Sequence, residues 1–186
     1  LTLIGEEGMG KTMVCRLVEK DLPVGLLSVF LPRAIESFDD MVSIIAQEFH
    51  IDTGEGQEGL STQHLVEEIV NFLKEREQRL IVFFDEADKI FLATLERIRR
   101  LLDQLNDEEV CAQILLSGRP ELEQHIEQLK IVSFKEVEEQ HFSLEPFTPE
   151  LTWAYLNSCM RVATGSDKEF FSRDAAGKLH GASGAD

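Results

Sequence analysis

The chain has 186 residues, of which 43% are hydrophobic and 28% are charged, as expected for a soluble domain that buries a core of its own. Its 35 acidic residues outnumber 18 lysines and arginines, and the formal net charge of −17 argues against nucleic acid as a general partner, although a local basic patch would still bind it. Three widely spaced cysteines and short apolar runs argue against a disulfide framework, a cysteine–histidine metal site and a membrane-spanning segment.

Apolar runs typical of strands alternate along the chain with amphipathic runs typical of helices, which predicts an α/β fold with a largely parallel sheet. The predicted strands are residues 1–4, 24–31, 80–84, 112–116 and about 141–144. The predicted helices are residues 11–20, 39–49, 61–76 and 94–105. An acidic, glycine-rich surface loop is predicted at residues 52–59.

The character of the sequence changes near Thr148 and Pro149, which form a typical helix N-cap followed by proline at the first helical position. The sequence after them is helical and contains no further predicted strand. We therefore divide the chain into an α/β core, residues 1–147, and the start of a helical appendage, residues 148–186. Because the sequence opens in mid-strand and stops in mid-segment, we expect it to be part of a longer protein. The cysteine usage predicts a cytoplasmic location, or the cytoplasmic part of a membrane-anchored protein.

A glycine-rich motif joins the first predicted strand to the first helix, and its sequence is Gly5-Glu6-Glu7-Gly8-Met9-Gly10-Lys11-Thr12. Glycines let such a loop wrap a phosphate with its backbone N–H groups, and the following helix directs its positive end at the same group. Lys11 is expected to reach the β- and γ-phosphates of ATP, and the hydroxyl of Thr12 to bind Mg²⁺. The predicted nucleotide-binding residues are Gly5, Glu7, Gly8, Met9, Gly10, Lys11, Thr12 and Met13.

A second, independent motif is the apolar run of residues 80–84, which ends in Asp85 and Glu86. Such a strand places its last residues at the carboxyl edge of a parallel sheet, where ligands bind in open α/β folds. Asp85 is predicted to hold Mg²⁺ through water, and Glu86 to orient or activate the water that attacks the γ-phosphate. The alternative is a strand that runs into an ordinary acidic turn, which the presence of the glycine-rich motif disfavours.

Polar residues also follow the predicted strand 112–116, and Ser117 is a candidate for contact with the γ-phosphate or the attacking water. An ordinary strand-to-loop turn fits these residues equally well. Arg119 either serves a neighbouring subunit as an arginine finger or pairs with a carboxylate of its own chain. A salt-bridged surface, a subunit contact and a nucleic-acid contact are the alternatives for the basic cluster Arg97, Arg99 and Arg100.

Together these segments resemble the AAA+ ATPases of the general secretion pathway protein A type, which form a broader group with transposition helper and origin-recognition-like ATPases. The resemblance covers nearly the whole chain and is found in residues 5–12, 83–88, 95–105, 113–122 and 142–148. The most specific segments are Ser117-Gly118-Arg119-Pro120-Glu121-Leu122 and Phe142-Ser143-Leu144-Glu145-Pro146-Phe147-Thr148.

The resemblance implies a P-loop fold with a parallel five-stranded sheet of order 5-1-4-3-2 and a helical lid that begins near Thr148. The site residues that it implies are the Walker A pair Lys11 and Thr12, the Walker B pair Asp85 and Glu86, and the sensor Ser117. Family members often act as oligomers, so the expected partners are ATP or ADP, Mg²⁺, further copies of the chain and a protein that the sequence does not identify.

The function that the resemblance implies is ATP hydrolysis coupled to oligomerisation or to remodelling of a partner, in cell-envelope or secretion machinery. One alternative is a nucleic-acid-associated helper ATPase of the transposition or replication type. The other is a nucleotide-binding switch with little hydrolysis.

Two positions depart from the family pattern. The family often carries an arginine before the fifth strand, where this chain has Lys130, and lysine cannot make the bidentate contact of an arginine. The lid of the family usually ends in a Ser-Gly-x-x-Pro-Arg segment whose arginine senses the nucleotide, and this sequence stops at Ser183-Gly184-Ala185-Asp186. We therefore expect slow ATP turnover by the isolated chain.

Overall fold

The computed structural model describes residues 1–52, 60–130 and 138–183, which divide into two compact units, Leu1–Leu144 and Glu145–Asp186. Three segments discussed above reach beyond the described residues. They are most of the predicted surface loop (residues 53–59), the residue after Lys130, and the last three residues of the lid pattern (residues 184–186).

Five strands form one sheet in the first unit: β1 (Thr2–Ile4), β2 (Leu26–Leu31), β3 (Arg79–Phe84), β4 (Ala112–Gly118) and β5 (His141–Ser143). All neighbouring strands are parallel, and their order is β2-β3-β4-β1-β5. Counted from the other edge this is the order 5-1-4-3-2, so the predicted fold class is confirmed. The order places β4 between the strands that carry the two predicted ATP-binding motifs.

β3 illustrates why the sequence forms a sheet that is covered on both faces. Leu80, Val82 and Phe84 pack into the main core on one face, whereas Ile81 and Phe83 pack into a second cluster on the other face. All five side chains are buried. A strand in this position needs a continuous apolar run, because neither of its faces meets water.

The described part of the first unit contains the helices α1 (Lys11–Lys20), α2 (Phe38–Glu48), α3 (Thr62–Glu75), α4 (Leu92–Asp107) and α5 (Glu121–Lys130). α1 contributes Cys15 to the second cluster, and the other four helices contribute to the main core. The predicted elements did not include α5, although Pro120 immediately before its acidic first turn is a typical helix start. β2 begins two residues later than predicted, after Gly25, which has a φ of +89°.

The second unit contains α6 (Pro149–Thr164) and α7 (Arg173–Ala182). The hydroxyl of Thr148 accepts a hydrogen bond from the N–H of Leu151 and caps α6, as the Thr-Pro pair predicts. Buried Asn157 joins α6 to the segment before α7. Its Oδ1 accepts from the N–H groups of Phe170 and Phe171, and its Nδ2 donates to the carbonyl oxygens of Trp153 and Phe171.

We expect Asn157→Ala to destabilise the second unit by about 1–3 kcal/mol, because it leaves two partly buried backbone N–H groups without their acceptor. Trp153 is the single tryptophan of the chain, and its Nε1 donates to Phe171 at 2.9 Å, so its fluorescence reports on this unit. Urea unfolding followed by that fluorescence measures the loss. Ser158→Ala, at an exposed position on the same helix, is the control and should change stability by less than about 0.5 kcal/mol. Equal unfolding midpoints for the two variants would contradict the role of Asn157.

Candidate functional site

The glycine-rich loop begins where β1 ends and leads directly into α1. The N–H of Gly5 donates to the carbonyl oxygen of Gly118 at 3.2 Å, which fixes the start of the loop on the end of β4. Gly8 and Gly10 have φ values of +84° and +82°, a left-handed conformation that other residues rarely adopt. A side chain at either position would strain the loop, which ends at Gly10 so that α1 begins at Lys11.

The side chain of Lys11 folds back onto this loop. Its Nζ donates to the carbonyl oxygen of Gly5 at 2.7 Å and to that of Glu6 at 2.8 Å. The ammonium group therefore lies at the amino end of α1, where the helix dipole and backbone N–H groups add to the positive potential. A chain with a net charge of −17 needs such a local source of positive potential if it is to bind a polyphosphate.

Asp85, immediately after β3, connects the two predicted motifs. Its buried carboxylate accepts three hydrogen bonds: Thr12 Oγ1 donates to Oδ2 at 2.5 Å, Ser117 Oγ to Oδ1 at 2.6 Å, and the N–H of Glu86 to Oδ1 at 3.1 Å. The strand order explains this convergence, because β4 lies between β3 and β1 and all three strands end at the same edge. Residues far apart in the sequence thus share one carboxylate.

Ser117 is fully buried, and its hydroxyl is directed at Asp85. The predicted contact of Ser117 with the γ-phosphate or the attacking water stays a prediction. Cys15 of α1 lies beside the pair. Burial raises the pKa of the Cys15 thiol, the hydrogen bond with Ser117 opposes this rise, and the charge of Asp85 adds to it. Cys15 is therefore a neutral packing residue under the site rather than a reactive thiolate.

We expect Ser117→Ala to destabilise the first unit by about 1–3 kcal/mol, because it removes a buried hydrogen bond to a charged group. Urea unfolding without nucleotide, followed by far-ultraviolet circular dichroism, measures the loss. Ser28→Ala is the control: the Ser28 hydroxyl donates over 3.4 Å to Glu19, so its removal should change little. A Ser117→Ala protein as stable as the wild type would show that this hydroxyl does not support Asp85.

Glu86 has a left-handed backbone with a φ of +53°, an unusual conformation for glutamate. Its half-exposed carboxylate forms an ion pair with Lys89, with 2.9 Å between Oε1 and Nζ. The hydrogen bond to Glu86, followed by the charges of Glu86 and Asp88, raises the pKa of Lys89. The sequence predictions did not include Lys89. The spacing of three residues was the available signal, and it becomes a contact because residues Ala87–Lys89 form a 3₁₀ turn.

Arg119 and the three arginines of the basic cluster each pair with a carboxylate of their own chain. Arg119 pairs with Asp88 at 3.0 Å. The others are Arg97 with Asp39 at 3.0 Å, Arg99 with Asp103 at 3.9 Å, and Arg100 with Glu96 at 2.6 Å. For the basic cluster of α4 these contacts agree with a salt-bridged surface.

The remaining predicted nucleotide-binding residues line the loop and the first turn of α1. Glu7 is exposed, Met9 is partly buried and Met13 is exposed.

Two large crevices, of about 600 and 980 Å³, lie away from the loop, one beside Cys111 and one between α4 and α5. Neither crevice includes a residue of the glycine-rich loop or Asp85, so the candidate site is identified by its chemistry. Across the described ranges, no group of three or more histidine, cysteine or acidic residues could hold a metal, and no helix is long and apolar enough to span a membrane.

Residues 1–126 match the model of a protein family described as an AAA domain. The whole sequence is similar to general secretion pathway protein A of Aeromonas hydrophila, with 28% identity over 187 aligned positions. The match covers 98% of this chain and 33% of that protein, so the chain spans about a third of the length of this curated relative.

Among solved structures, the chain is similar to Cdc6p from Pyrobaculum aerophilum, with a TM-score of 0.64, 19% identity, and coverage of 96% of this chain and 47% of that one. It is also similar to the ORC2 protein of Aeropyrum pernix in its ADPNP–ADP complexes, with a TM-score of 0.63 and 14% identity over 97% of this chain and 61% of that one. The ORC1 protein of the same organism, in complex with DNA, gives a TM-score of 0.60 and 22% identity over 87% of this chain and 43% of that one. At these identities the similarity is one of fold.

Proposed function

The chain belongs to the AAA domain family, and on that premise we propose that it binds ATP with Mg²⁺ at the glycine-rich loop and hydrolyses it. The observation that carries this proposal is the convergence on Asp85, where the hydroxyls of Thr12 and Ser117 both donate to one buried carboxylate. A carboxylate and a threonine hydroxyl beside a lysine on a glycine-rich loop are the groups that an ATP–Mg²⁺ site needs.

The loop is the proposed phosphate site. In the structure the ammonium group of Lys11 donates to two carbonyl oxygens of the loop, and we expect phosphate oxygens of ATP to replace these acceptors. The left-handed glycines keep side chains away from the phosphates, and the amino end of α1 adds its dipole. The predicted contacts of Glu7, Met9 and Met13 with the nucleotide belong to the same proposal.

Thr12 and Asp85 are the residues that would hold Mg²⁺, directly or through water. Their oxygen atoms lie 2.5 Å apart and are of the hard type that this ion prefers. Because Ser117 and the N–H of Glu86 both donate to Oδ1 of Asp85, the carboxylate is held with Oδ2 directed towards Thr12. When bound, the ion neutralises charge on the phosphate oxygens.

Glu86 is the proposed water-positioning residue. Its carboxylate is half exposed at the same edge of the sheet, one residue beyond Asp85, so water reaches it. The carboxylate is held by Lys89, and it would accept a proton from the attacking water or orient that water towards the γ-phosphate. Ser117 would assist by contact with the same water or the γ-phosphate.

The cellular role is the more distant part of the proposal. We propose that α6 and α7 belong to a helical lid after a core of residues 1–147. The active form would be a homo-oligomer that transmits the nucleotide state to a partner in cell-envelope or secretion machinery. Similarity to general secretion pathway protein A supports this choice of process. Three free cysteines and the requirement for ATP favour the cytoplasm.

The test is ATP turnover with Mg²⁺ over a wide range of protein concentrations, against a background set by Lys11→Ala. We expect slow turnover whose rate per subunit rises with concentration, because a neighbouring subunit would complete the site. Binding of ATP with no turnover above background at any concentration would refute hydrolysis and leave a nucleotide-binding switch. Turnover that depends on added DNA in a salt-sensitive way would instead indicate a nucleic-acid-associated ATPase.

A further inference from the structure

Arg119 and Asp88 form an ion pair beside the proposed ATP site to which the proposed function assigns no role. The Asp88 side chain is almost completely buried, with 3% of its surface exposed. The backbone N–H of Arg119 donates to Oδ1 of Asp88 at 3.1 Å, and its Nε donates to Oδ2 at 3.0 Å. Burial alone would raise the pKa of Asp88. The two hydrogen bonds from Arg119, a further one from the backbone N–H of Asp88 itself and the charge of Arg119 outweigh burial and hold that pKa below its usual value. The carboxylate is therefore ionised, with Arg119 as its side-chain partner.

Gly118 brings the two partners together. A Cβ at this position would lie 2.9 Å from Oδ1 and 3.0 Å from the backbone nitrogen of Asp88, so only glycine lets β4 approach the 3₁₀ turn this closely. The carbonyl oxygen of the same residue accepts the hydrogen bond from Gly5. The end of β4 thus joins the start of the phosphate loop to the turn that carries Asp88.

Gly118 and Asp88, which this arrangement joins, lie close in the sequence to two residues of the proposed ATP site. Ser117 directly precedes Gly118, and Glu86 lies two residues before Asp88. The left-handed backbone of Glu86 is an unfavourable conformation that persists only where the surrounding structure enforces it. Asp88 is bonded at the other end of the same short turn, where Lys89 also donates its N–H to the carbonyl oxygen of Glu86 at 3.0 Å. A shift of the turn would therefore move the Glu86 carboxylate away from the attacking water.

We propose that Arg119 is a positioning residue of the ATPase site, which acts in cis through Asp88 to hold the turn that carries Glu86. The proposal rests on the proposed function, because it assigns Glu86 to the attacking water. It also excludes Arg119 as the finger of a neighbouring site. An Arg119 side chain that left its own Asp88 to reach a second subunit would leave a buried carboxylate with backbone N–H donors but no cation, which is strongly unfavourable.

The first test is kinetic. We expect Arg119→Met to lower kcat by about 10- to 100-fold while the KM for ATP changes by less than about twofold, because the phosphate contacts remain and only the geometry at Glu86 is lost. Arg119→Lys should recover part of kcat, since an ammonium group still reaches one oxygen of Asp88.

Asp88→Asn should resemble Arg119→Met in its kcat, and the double variant should be no slower than the slower single variant. Arg97→Met, which removes a similarly exposed arginine from an ion pair whose carboxylate, Asp39, is also exposed, should leave kcat unchanged. An unchanged kcat for Arg119→Met, or losses that multiply in the double variant, would refute the proposal.

The second test separates action in cis from action in trans. Arg119→Met subunits are mixed with Lys11→Ala subunits, which keep Arg119 but do not bind ATP. A finger in trans would restore turnover, because an intact phosphate site would meet an intact arginine from the neighbouring subunit. We expect no turnover beyond the sum of the two separate proteins, and recovery would overturn the proposal.

A third measurement does not require hydrolysis. Amide hydrogen exchange without nucleotide should be at least about fivefold faster at Gly5, Lys89 and Ile90 in Arg119→Met than in the wild type or Arg97→Met, since these N–H groups bond across the held region. If the wild type turns over no ATP, the proposed function fails and the exchange rates alone decide whether Arg119 holds the turn. If the wild type turns over ATP and these amides exchange at the same rates in Arg119→Met, the positioning role fails while the proposed function stands.

Discussion

Lys11→Ala is expected to weaken the binding of ATP by at least about a hundredfold, which corresponds to about 2.7 kcal/mol of binding free energy. The loop itself contains Glu6 and Glu7, in a chain with a net charge of −17, so removal of the ammonium group leaves backbone dipoles and Mg²⁺ as the main attraction for a polyphosphate. Titration with a fluorescent ATP analogue in the presence of Mg²⁺ measures the loss.

Lys20→Ala is the matched control for this experiment. Lys20 lies in the last turn of the same helix and is exposed, so its removal changes the net charge equally without touching the loop. Its affinity for ATP should stay within about twofold of the wild type, because exposed charges at this distance are screened by salt. Since Lys11 also donates to two carbonyl oxygens in the absence of nucleotide, thermal unfolding of both variants shows whether the loop itself is disturbed. If Lys11→Ala and Lys20→Ala lost affinity for ATP equally, long-range charge, and not the contact of Lys11 at the loop, would govern binding.

The parts of the site that the sequence predicts are contiguous in the chain. The glycine-rich loop needs only local backbone freedom and a following helix, and the strand before Asp85 needs only an unbroken apolar run. The parallel arrangement then brings the two segments to one sheet edge, so the approach of Thr12 to Asp85 follows from the topology. The order of the strands, by contrast, was predicted only through the family resemblance, and the structure confirms it.

The contacts that the sequence does not predict depend on the direction of side chains and on the close approach of separate segments. At the tip of β4, the residues alone do not indicate whether Ser117 points to the ligand or inwards; its hydroxyl lies inside, on Asp85. The pairing of Arg119 with Asp88 requires that β4 and the 3₁₀ turn meet at Gly118 without a side chain between them. A glycine in a Ser-Gly-Arg-Pro segment is equally compatible with an ordinary turn.

These contacts also divide the roles of the two neighbouring acids. Asp85 is buried and accepts three hydrogen bonds, which fix it in one position, as a ligand of a metal ion should be. Glu86 is half exposed and is paired with one half-exposed lysine side chain, so its carboxylate can exchange that partner for water. These environments support the proposal that Asp85 holds the metal and Glu86 the water, and substitution of the two residues should have different consequences.

Glu86→Gln is expected to lower the rate of ATP hydrolysis by about 10²- to 10⁴-fold while the affinity for ATP stays the same or rises slightly. The amide has nearly the shape of the carboxylate but cannot accept the proton of the attacking water, whereas the loss of one negative charge beside a polyphosphate favours binding. Single-turnover hydrolysis at saturating ATP measures the rate, and titration with the fluorescent analogue measures the affinity.

Glu77→Gln is the matched control for Glu86→Gln. Glu77 is also an exposed glutamate with a left-handed backbone, with a φ of +50°, but it follows α3 before the amino end of β3 rather than its carboxyl end. The Glu77→Gln protein should hydrolyse ATP at the rate of the wild type. A loss of rate that is specific to Glu86→Gln would then reflect the place of Glu86 at the carboxyl end of β3, and not its backbone conformation or the change in net charge. A Glu86→Gln protein that hydrolyses ATP within about threefold of the wild type would show that Glu86 neither accepts the proton nor orients the water, since either role is worth at least about a hundredfold. A protein that loses ATP binding as well would instead place Glu86 among the residues that bind the nucleotide.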